Sequence, residues 1–405
     1  MTSIFQAARN LFRKPLKPLR FPTAGYEVVN QNVLLEEEKY DDFKEGIYYP
    51  VNIGDVFASK YQVVGKLGFG ATSTVWLERD LQLHSYATLK VFTREGVDPE
   101  ELNVYKSLSA GNASSLGRRH VRTALDVFTI PRQGGDHKCL IQKPMWDSFK
   151  DLLNRNPTHR FNKMLLRAGL SQVLLALDYL HSECKLVHTD ISAHNILIEI
   201  DDTDLLDSFI KAELESPSPR KIVDGAPVYG SRRFDLPKKY GLVVLSDFGS
   251  AVRGDGKRTH DAQPNVYRCP EVMLKMEWSY PADIWNVGAM IWDLFEDKHL
   301  FYGYDPDGSG YKTRAHLAEV VGLLGPPPPD LLKRGFRSKE FFDEEGNWIA
   351  GIPIPKDISL ESLEENLTGG DKQELRFVRS MLQWRPEDRK TAKQLLDDPW
   401  LNSSD

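Results

Sequence analysis

The chain has 405 residues, with 52 Lys and Arg against 58 Asp and Glu for a formal net charge of −6, and with 41% hydrophobic and 27% charged positions. That balance argues against direct nucleic-acid binding, which concentrates positive charge, and the composition is that of a globular protein, neither collagenous nor broadly disordered. Cys139, Cys184 and Cys269 are odd in number and far apart, which suits neither a disulfide framework nor a zinc site, and no apolar run reaches the roughly 18 to 20 residues of a membrane span. A protein of a reducing compartment, cytoplasm or nucleus, with no membrane partner is expected.

Residues 1–45 read as an N-terminal arm and are expected to be disordered. Up to residue 26 the arm carries Arg9, Arg13, Lys14, Lys17 and Arg20 with no acid before Glu27, and Phe5, Leu11 and Phe12 offer a short apolar face. Mitochondrial transit peptides share that composition, but Pro15, Pro18 and Pro22 oppose a long helix. A basic tail is the first reading and mitochondrial targeting the second. Glu36, Glu37, Glu38, Asp41 and Asp42 then read as a solvated charge run.

From Tyr61 an alternating pattern predicts two antiparallel strands around the glycine-rich turn Gly68-Phe69-Gly70-Ala71-Thr72-Ser73. Backbone amides at such a turn can approach phosphate oxygens, although a Gly-x-Gly between strands also reads as an ordinary hairpin or bulge. Ala87-Thr88-Leu89-Lys90-Val91-Phe92 is a buried-looking strand with one lysine in its middle. A buried ammonium needs a partner. Glu101, in the helical stretch that follows, supplies one and a phosphate would supply another; the alternative is that Lys90 snorkels out at a sheet edge.

Leu166, Leu170, Val173, Leu177 and Leu180 recur at steps of three and four, which predicts a core helix over 161–182. Directly after it, the polar loop His188-Thr189-Asp190-Ile191-Ser192-Ala193-His194-Asn195 sits between short apolar pieces. Asp190 can accept the proton of an attacking hydroxyl, and the Asn195 amide oxygen can hold a magnesium ion. Asp247-Phe248-Gly249, after the apolar strand 242–245, adds a carboxylate suited to metal-bridged phosphates. Each motif alone is common by chance.

Taken in order, the glycine loop, Lys90, Glu101, His188-Thr189-Asp190, Asn195, Asp247-Phe248-Gly249, Cys269-Pro270-Glu271, Asp283 and Pro386-Glu387-Asp388-Arg389 resemble the protein-kinase signature over residues 55 to 401. The resemblance implies an α+β bilobal fold: a β-rich N-lobe over 46–143 and a helical C-lobe over 144–401 that holds a short insert, 199–240. It implies ATP and Mg2+ as cofactors, with Leu67, Gly68, Phe69, Gly70, Ala71, Ser73 and Val75 covering the nucleotide. Gln142 would be the gatekeeper and Lys143-Pro144-Met145 the hinge. Lys90 would hold the α and β phosphates, Glu101 would fix Lys90, and Asn195 and Asp247 would bind magnesium. Asp190 would orient the hydroxyl, Asp283 would brace the catalytic loop, and Glu271 with Arg389 would form a buried ion pair.

Tyr48 to Phe57, Ser73 to Leu77, the His-Thr-Asp at 188 to 190 and the stretch His316 to Gly325 are similar to the serine/arginine-rich protein kinases, especially their fungal branch. That family implies a serine/threonine kinase acting as a monomer on Arg-Ser-rich splicing factors. Several positions depart from its pattern. Thr189 replaces an arginine that grips an activation-segment phosphate, leaving Ser250, Thr259 and Tyr267 as candidate phosphorylation sites without that receptor. Ser192 replaces a lysine that stabilises the transferring phosphoryl, with His194 a candidate substitute. Ala315 and Gly322 stand where the family docks arginines on acids. The insert opens acidic and turns basic around Ser216-Pro217-Ser218-Pro219; it reads as a solvated loop in which phosphate at Ser216 or Ser218 would meet the basic cluster. The rival functions are a catalytically weak, pseudokinase-like nucleotide-binding scaffold and a small-molecule phosphotransferase.

Overall fold

The computed structural model describes residues 14–44, 46–94, 96, 99–367 and 372–403; Phe5, Arg9, Leu11, Phe12 and Arg13, on which the transit-peptide reading rests, lie outside them. The chain separates into two units by its internal contacts: Met1–Tyr105, Arg122–Trp146 and Glu199–Gly241 form unit 1, and Lys106–Val121, Asp147–Ile198 and Leu242–Asp405 form unit 2.

Unit 1 is built on a six-stranded sheet of order β1-β2-β3-β4-β6-β5, with β1 at Val56–Phe57, β2 at Tyr61–Gly70, β3 at Ser73–Asp80, β4 at Ser85–Phe92, β5 at Ala124–Ile130 and β6 at His137–Gln142. Neighbouring strands run antiparallel. Successive side chains alternate between the faces of a strand. Val63, Trp76, Ala87, Leu89, Val91, Cys139 and Ile141 fill one face as a core, which puts Val75, Thr88, Lys90 and Gln142 on the other. Helix α1, Pro99–Ala110, follows β4 with Glu101 in its first turn.

The insert differs from the expected solvated loop. It forms a helix, Asp204–Glu215, and a hairpin of Arg220–Val223 with Ala226–Tyr229, and its contacts place it in unit 1 and not with the remainder of the C-lobe sequence. The reason is an apolar stripe hidden among the acids: Leu205, Leu206, Phe209 and Ile210 are all buried. The Phe209 ring lies so close to Gly65 of β2 that a Cβ there would come within 2.5 Å, so only glycine allows the approach. Ser218 is buried and donates to Glu213 at 2.7 Å. Arg232 is already engaged by Glu213 and the Ser216 carbonyl, and Lys221 pairs with Glu38 at 2.8 Å. A phosphate on Ser218 would meet a carboxylate, which removes the expected basic grip at that position.

The acidic run of the arm is likewise solvated only in part: Glu37 and Glu38 are buried, whereas Asp41 and Asp42 are exposed. Lys66 lies in the middle of β2 with no side-chain exposure, and Glu36 and Glu37 both pair with it, the former at 2.8 Å. Glu36 also accepts from the Ser231 hydroxyl at 2.8 Å. A buried ammonium is tolerated only with such partners. Further upstream, Gln62 exchanges side-chain bonds with the Leu19 backbone at 2.9 and 2.8 Å. The arm between residues 14 and 44 is thus laid against unit 1.

A buried carboxyl on β3 lacks a hydrogen-bond partner. Both carboxyl oxygens of Glu78, on β3 opposite Val63 and Ala87, are buried without a hydrogen bond. Burial pushes its pKa up to about 9, Asp80 and Asp126 adding and Lys60 opposing. Glu78 therefore stays protonated in the folded protein at pH values where the unfolded chain has released the proton. Stability falls with rising pH between the ordinary carboxylate range and about 9, by up to about 1.4 kcal/mol per unit. Glu78→Met is expected to flatten that slope and to raise the urea midpoint at pH 8 more than at pH 5.5; an unchanged slope would locate the pH dependence elsewhere.

In unit 2 the predicted core helix spans Lys163–Asp178, widens into a π-helical turn over Tyr179–Cys184 and ends at Lys185 with φ +56°. A second long helix, Pro281–Glu296, is buried along nearly its whole length. Of the four prolines after the helix Thr313–Leu324, the last opens the next helix, Pro329–Arg334, because proline suits the first helical turn. The three cysteines are buried and free. Among the described residues no helix is long and apolar enough to cross a membrane.

Candidate active site

In unit 1 a cross-strand row carries Gly68, Val75, Lys90 and Leu140 on β2, β3, β4 and β6. Lys90 does not snorkel to an edge. Its Nζ lies 3.4 Å from Glu101 Oε1, with side-chain exposures of 17% and 5%, and 4.6 Å from the centre of the Phe92 ring. Leu67, Gly68, Phe69 and Gly70 close β2, Ala71 and Thr72 make the turn, and Ser73 and Val75 open β3. Phe69 and Ala71 are exposed. Met145 is buried and begins the strand Met145–Ser148. Two residues along from this row, and so on the same face, Thr88 and Gln142 face each other across β4 and β6; both are buried, and Thr88 Oγ1 and Gln142 Nε2 have no hydrogen-bond partner. Sequence reasoning singled out Gln142 but missed Thr88, whose only signal is its even spacing from Lys90. It also missed Tyr48, whose hydroxyl reaches the carbonyls of Gly70 and Ala71 at 2.8 and 2.7 Å.

In unit 2 the polar loop from His188 to Asn195 hangs from one carboxylate. Asp283, fully buried, accepts from the backbone N–H of His188 and of Thr189 at 2.8 Å each and lies 2.9 Å from His181 Nε2. The His188 ring rests on Phe248 and reaches the Ser246 carbonyl at 3.0 Å. Asn195 donates its amide to the carbonyl and to Oδ2 of Asp190, at 2.9 and 2.8 Å, which turns its amide oxygen away from Asp190. Asp247 is exposed and adopts φ +61°, a conformation that few non-glycine residues hold without cause. Burial raises the Asp190 pKa and Asp247 adds to it, while His188, the Asn195 bond and His194 pull it down. Two neighbouring carboxylates with a spare amide oxygen suit a hard divalent cation.

The departures from the kinase pattern have local consequences. Thr189, at φ +68°, donates its hydroxyl to the Ser250 carbonyl at 2.8 Å, so it ties down the activation segment without a phosphate. Farther along, Gln263 accepts from Cys269 N–H and donates to the Ala282 carbonyl, both at 2.9 Å, and Asn286 donates to the Tyr267 carbonyl at 2.7 Å. Tyr267 is buried and its hydroxyl is bonded to Asp293. Within the loop Ser192 is buried, whereas His194 is exposed. On the helix Thr313–Leu324, Ala315 is buried, and a Cβ on Gly322 would come within 2.8 Å of the Pro355 carbonyl. Asp305 is held by Arg314 at 2.6 and 2.9 Å, and Glu319 accepts the N–H groups of Tyr302 and Gly303.

The family model described as the protein kinase domain matches residues 61–401. A serine/threonine protein kinase of Aspergillus fumigatus is 42% identical, with 98% of each chain covered. The serine/threonine-protein kinase SRPK of Physarum polycephalum is 28% identical over 90% of this chain and 91% of its own, and protein kinase dsk1 of Schizosaccharomyces pombe is 25% identical over 92% and 86%. The crystal structure of a kinase domain shares the fold, with a TM-score of 0.67 and 20% identity over 88% of this chain and all of that one. The chain therefore belongs to the protein kinase family, as a serine/threonine protein kinase similar to the SR protein kinases.

Proposed function

We propose that this kinase transfers the γ-phosphoryl of ATP to serine or threonine hydroxyls of proteins, with unit 1 as its N-lobe and unit 2 as its C-lobe. The observation that carries the assignment of roles is the pair Asp190 and Asn195 on a loop fixed by Asp283, with the Asp247 carboxylate near Asp190. Asp190 orients the attacking hydroxyl and accepts its proton. Lys90, held by Glu101, binds the α and β phosphates, and the loop from Leu67 to Val75 covers them through its backbone amides. Thr88 Oγ1 and Gln142 Nε2 support a polar ligand on the Lys90 face, because buried polar atoms without partners are costly unless a ligand satisfies them. Asn195 and Asp247 would hold Mg2+, which neutralises phosphate charge when bound. The scaffold alternative lacks support, since Lys90, Asp190, Asn195 and Asp247 are all present and Lys90 is paired.

For substrate, the SR-kinase relatives suggest Arg-Ser-rich splicing factors, but Ala315 and Gly322 offer no carboxylate to dock arginines. We read the kinase as acting on serine in the cytoplasm or nucleus as a monomer, without processive Arg-Ser docking. Because Thr189 and Gln263 already tether the activation segment, the enzyme should be active without prior phosphorylation. Phosphatase-treated protein is expected to label both an Arg-Ser repeat and an arginine-free serine peptide in the presence of Mg2+ and ATP. Strong preference for the repeat would restore the docking reading, and activity only after treatment with another kinase would overturn the account of Thr189.

A further inference from the structure

The phosphate loop is gripped from outside the sheet by the arm and by the segment that joins the arm to β1. At its base, Lys66 is paired with Glu36 and Glu37. Along its length, the Phe69 ring meets Tyr40 at 6.2 Å between centres. At its tip, the single phenolic proton of Tyr48 is shared between the carbonyls of Gly70 and Ala71. Tyr48 is itself fixed: it is buried, its ring packs on Phe43 at 5.9 Å, and its carbonyl accepts from Arg132 Nη1 at 3.1 Å. Burial, with Glu37, Tyr40 and Asp42 adding, pushes its pKa up, so the hydroxyl stays a donor across the physiological range.

The consequence follows from peptide geometry. The peptide bonds of the described residues are all trans, so in each planar unit the N–H points opposite to the C=O. Holding the Gly70 carbonyl toward Tyr48 turns the Ala71 N–H away from it, and holding the Ala71 carbonyl turns the Thr72 N–H the same way. Amides arranged so are the donors that a phosphate cover requires. A loop left free would lose orientational freedom on each binding event, which weakens affinity.

We infer that Tyr48 is a positioning residue of the phosphate loop, one whose hydroxyl pre-orients the Ala71 and Thr72 amides for the nucleotide. This rests on the kinase reading above. It assigns the segment between the arm and β1 a part in nucleotide affinity and none in the proton transfer at Asp190.

The test is Tyr48→Phe, which keeps the ring and removes only the donor. It is assayed well below its own melting temperature, for KM of ATP, KM of peptide and kcat, with calorimetric Kd for ATP in Mg2+ buffer alongside. The expected result is a rise of about 5- to 20-fold in both KM and Kd for ATP, with kcat at saturating ATP, peptide KM and the nucleotide-free melting temperature essentially unchanged. Unaltered KM and Kd for ATP would overturn the inference. So would a parallel loss in kcat and peptide KM together with a lowered melting temperature, which would mark Tyr48 as a packing residue. If the wild type transferred no phosphate, the kinase reading would fail on its own, and the Kd comparison would still decide the role of Tyr48.

Discussion

Asp190→Asn is expected to lower kcat by about 10²- to 10⁴-fold, the usual contribution of a positioned general base, while leaving the Kd for ATP within about twofold because no nucleotide contact is removed. Two features make the substitution clean. Asn195 donates to the backbone carbonyl of Asp190 as well as to its carboxylate, so half of that contact survives the exchange. Asp190 also bears a raised pKa from burial and the nearby Asp247, so neutralising it removes a desolvated charge and should not lower the melting temperature. Steady-state kinetics beside calorimetric ATP binding checks both halves. Near wild-type turnover in Asp190→Asn would show that another group accepts the proton, and His194, charge-coupled to Asp190, would be the first to examine.

The second large effect is on stability. Glu271 and Arg389 are fully buried and form a two-pronged pair at 2.6 and 2.7 Å. Arg389 also donates to the carbonyls of Pro281 and Gln383 at 3.0 Å each, and its guanidinium lies over Trp285 at 5.0 Å. Removing one partner strands the other charge in a dry interior. Arg389→Met is therefore expected to cost about 3–5 kcal/mol, whereas the double variant Glu271→Leu with Arg389→Met should recover much of that, since neither charge is then left unpaired. Denaturant unfolding of the wild type, both single variants and the double variant measures it. A double variant as unstable as the worse single one would mean that the backbone bonds of Arg389, and not the ion pair, carry the effect. Activity should fall with Arg389→Met as well, because Pro281 opens the helix that carries Asp283, and Asp283 holds the backbone of His188 and Thr189.

The two parts of the insert and arm that read as solvated show why charge runs mislead. Glu36, Glu37 and Glu38 look like a polar surface, yet their partners Lys66 and Lys221 stand about 30 and 180 residues away. In the insert, Leu205, Leu206, Phe209 and Ile210 do keep helical spacing, but four acids around them masked the stripe. Tyr48 lay inside a stretch that marked the family, and nothing in its neighbours announced a bond to Gly70 and Ala71.

What the sequence determined by itself was the local and the ordered: the strands around Gly68 and Gly70, the helix through Leu166 to Leu177, and the succession of Lys90, Glu101, Asp190, Asn195, Asp247, Glu271 and Arg389. Alternation and helical period arise from backbone geometry within a few residues, so they can be read along the chain. Tertiary structure alone decided that the insert joins unit 1, that the acidic arm pairs with Lys66 and Lys221, that Glu78 is buried without a hydrogen-bond partner and that Tyr48 bonds the Gly70 and Ala71 carbonyls. Each of these depends on which groups are removed from water together. Desolvation is a property of the packed chain and leaves no trace in the spacing of its residues.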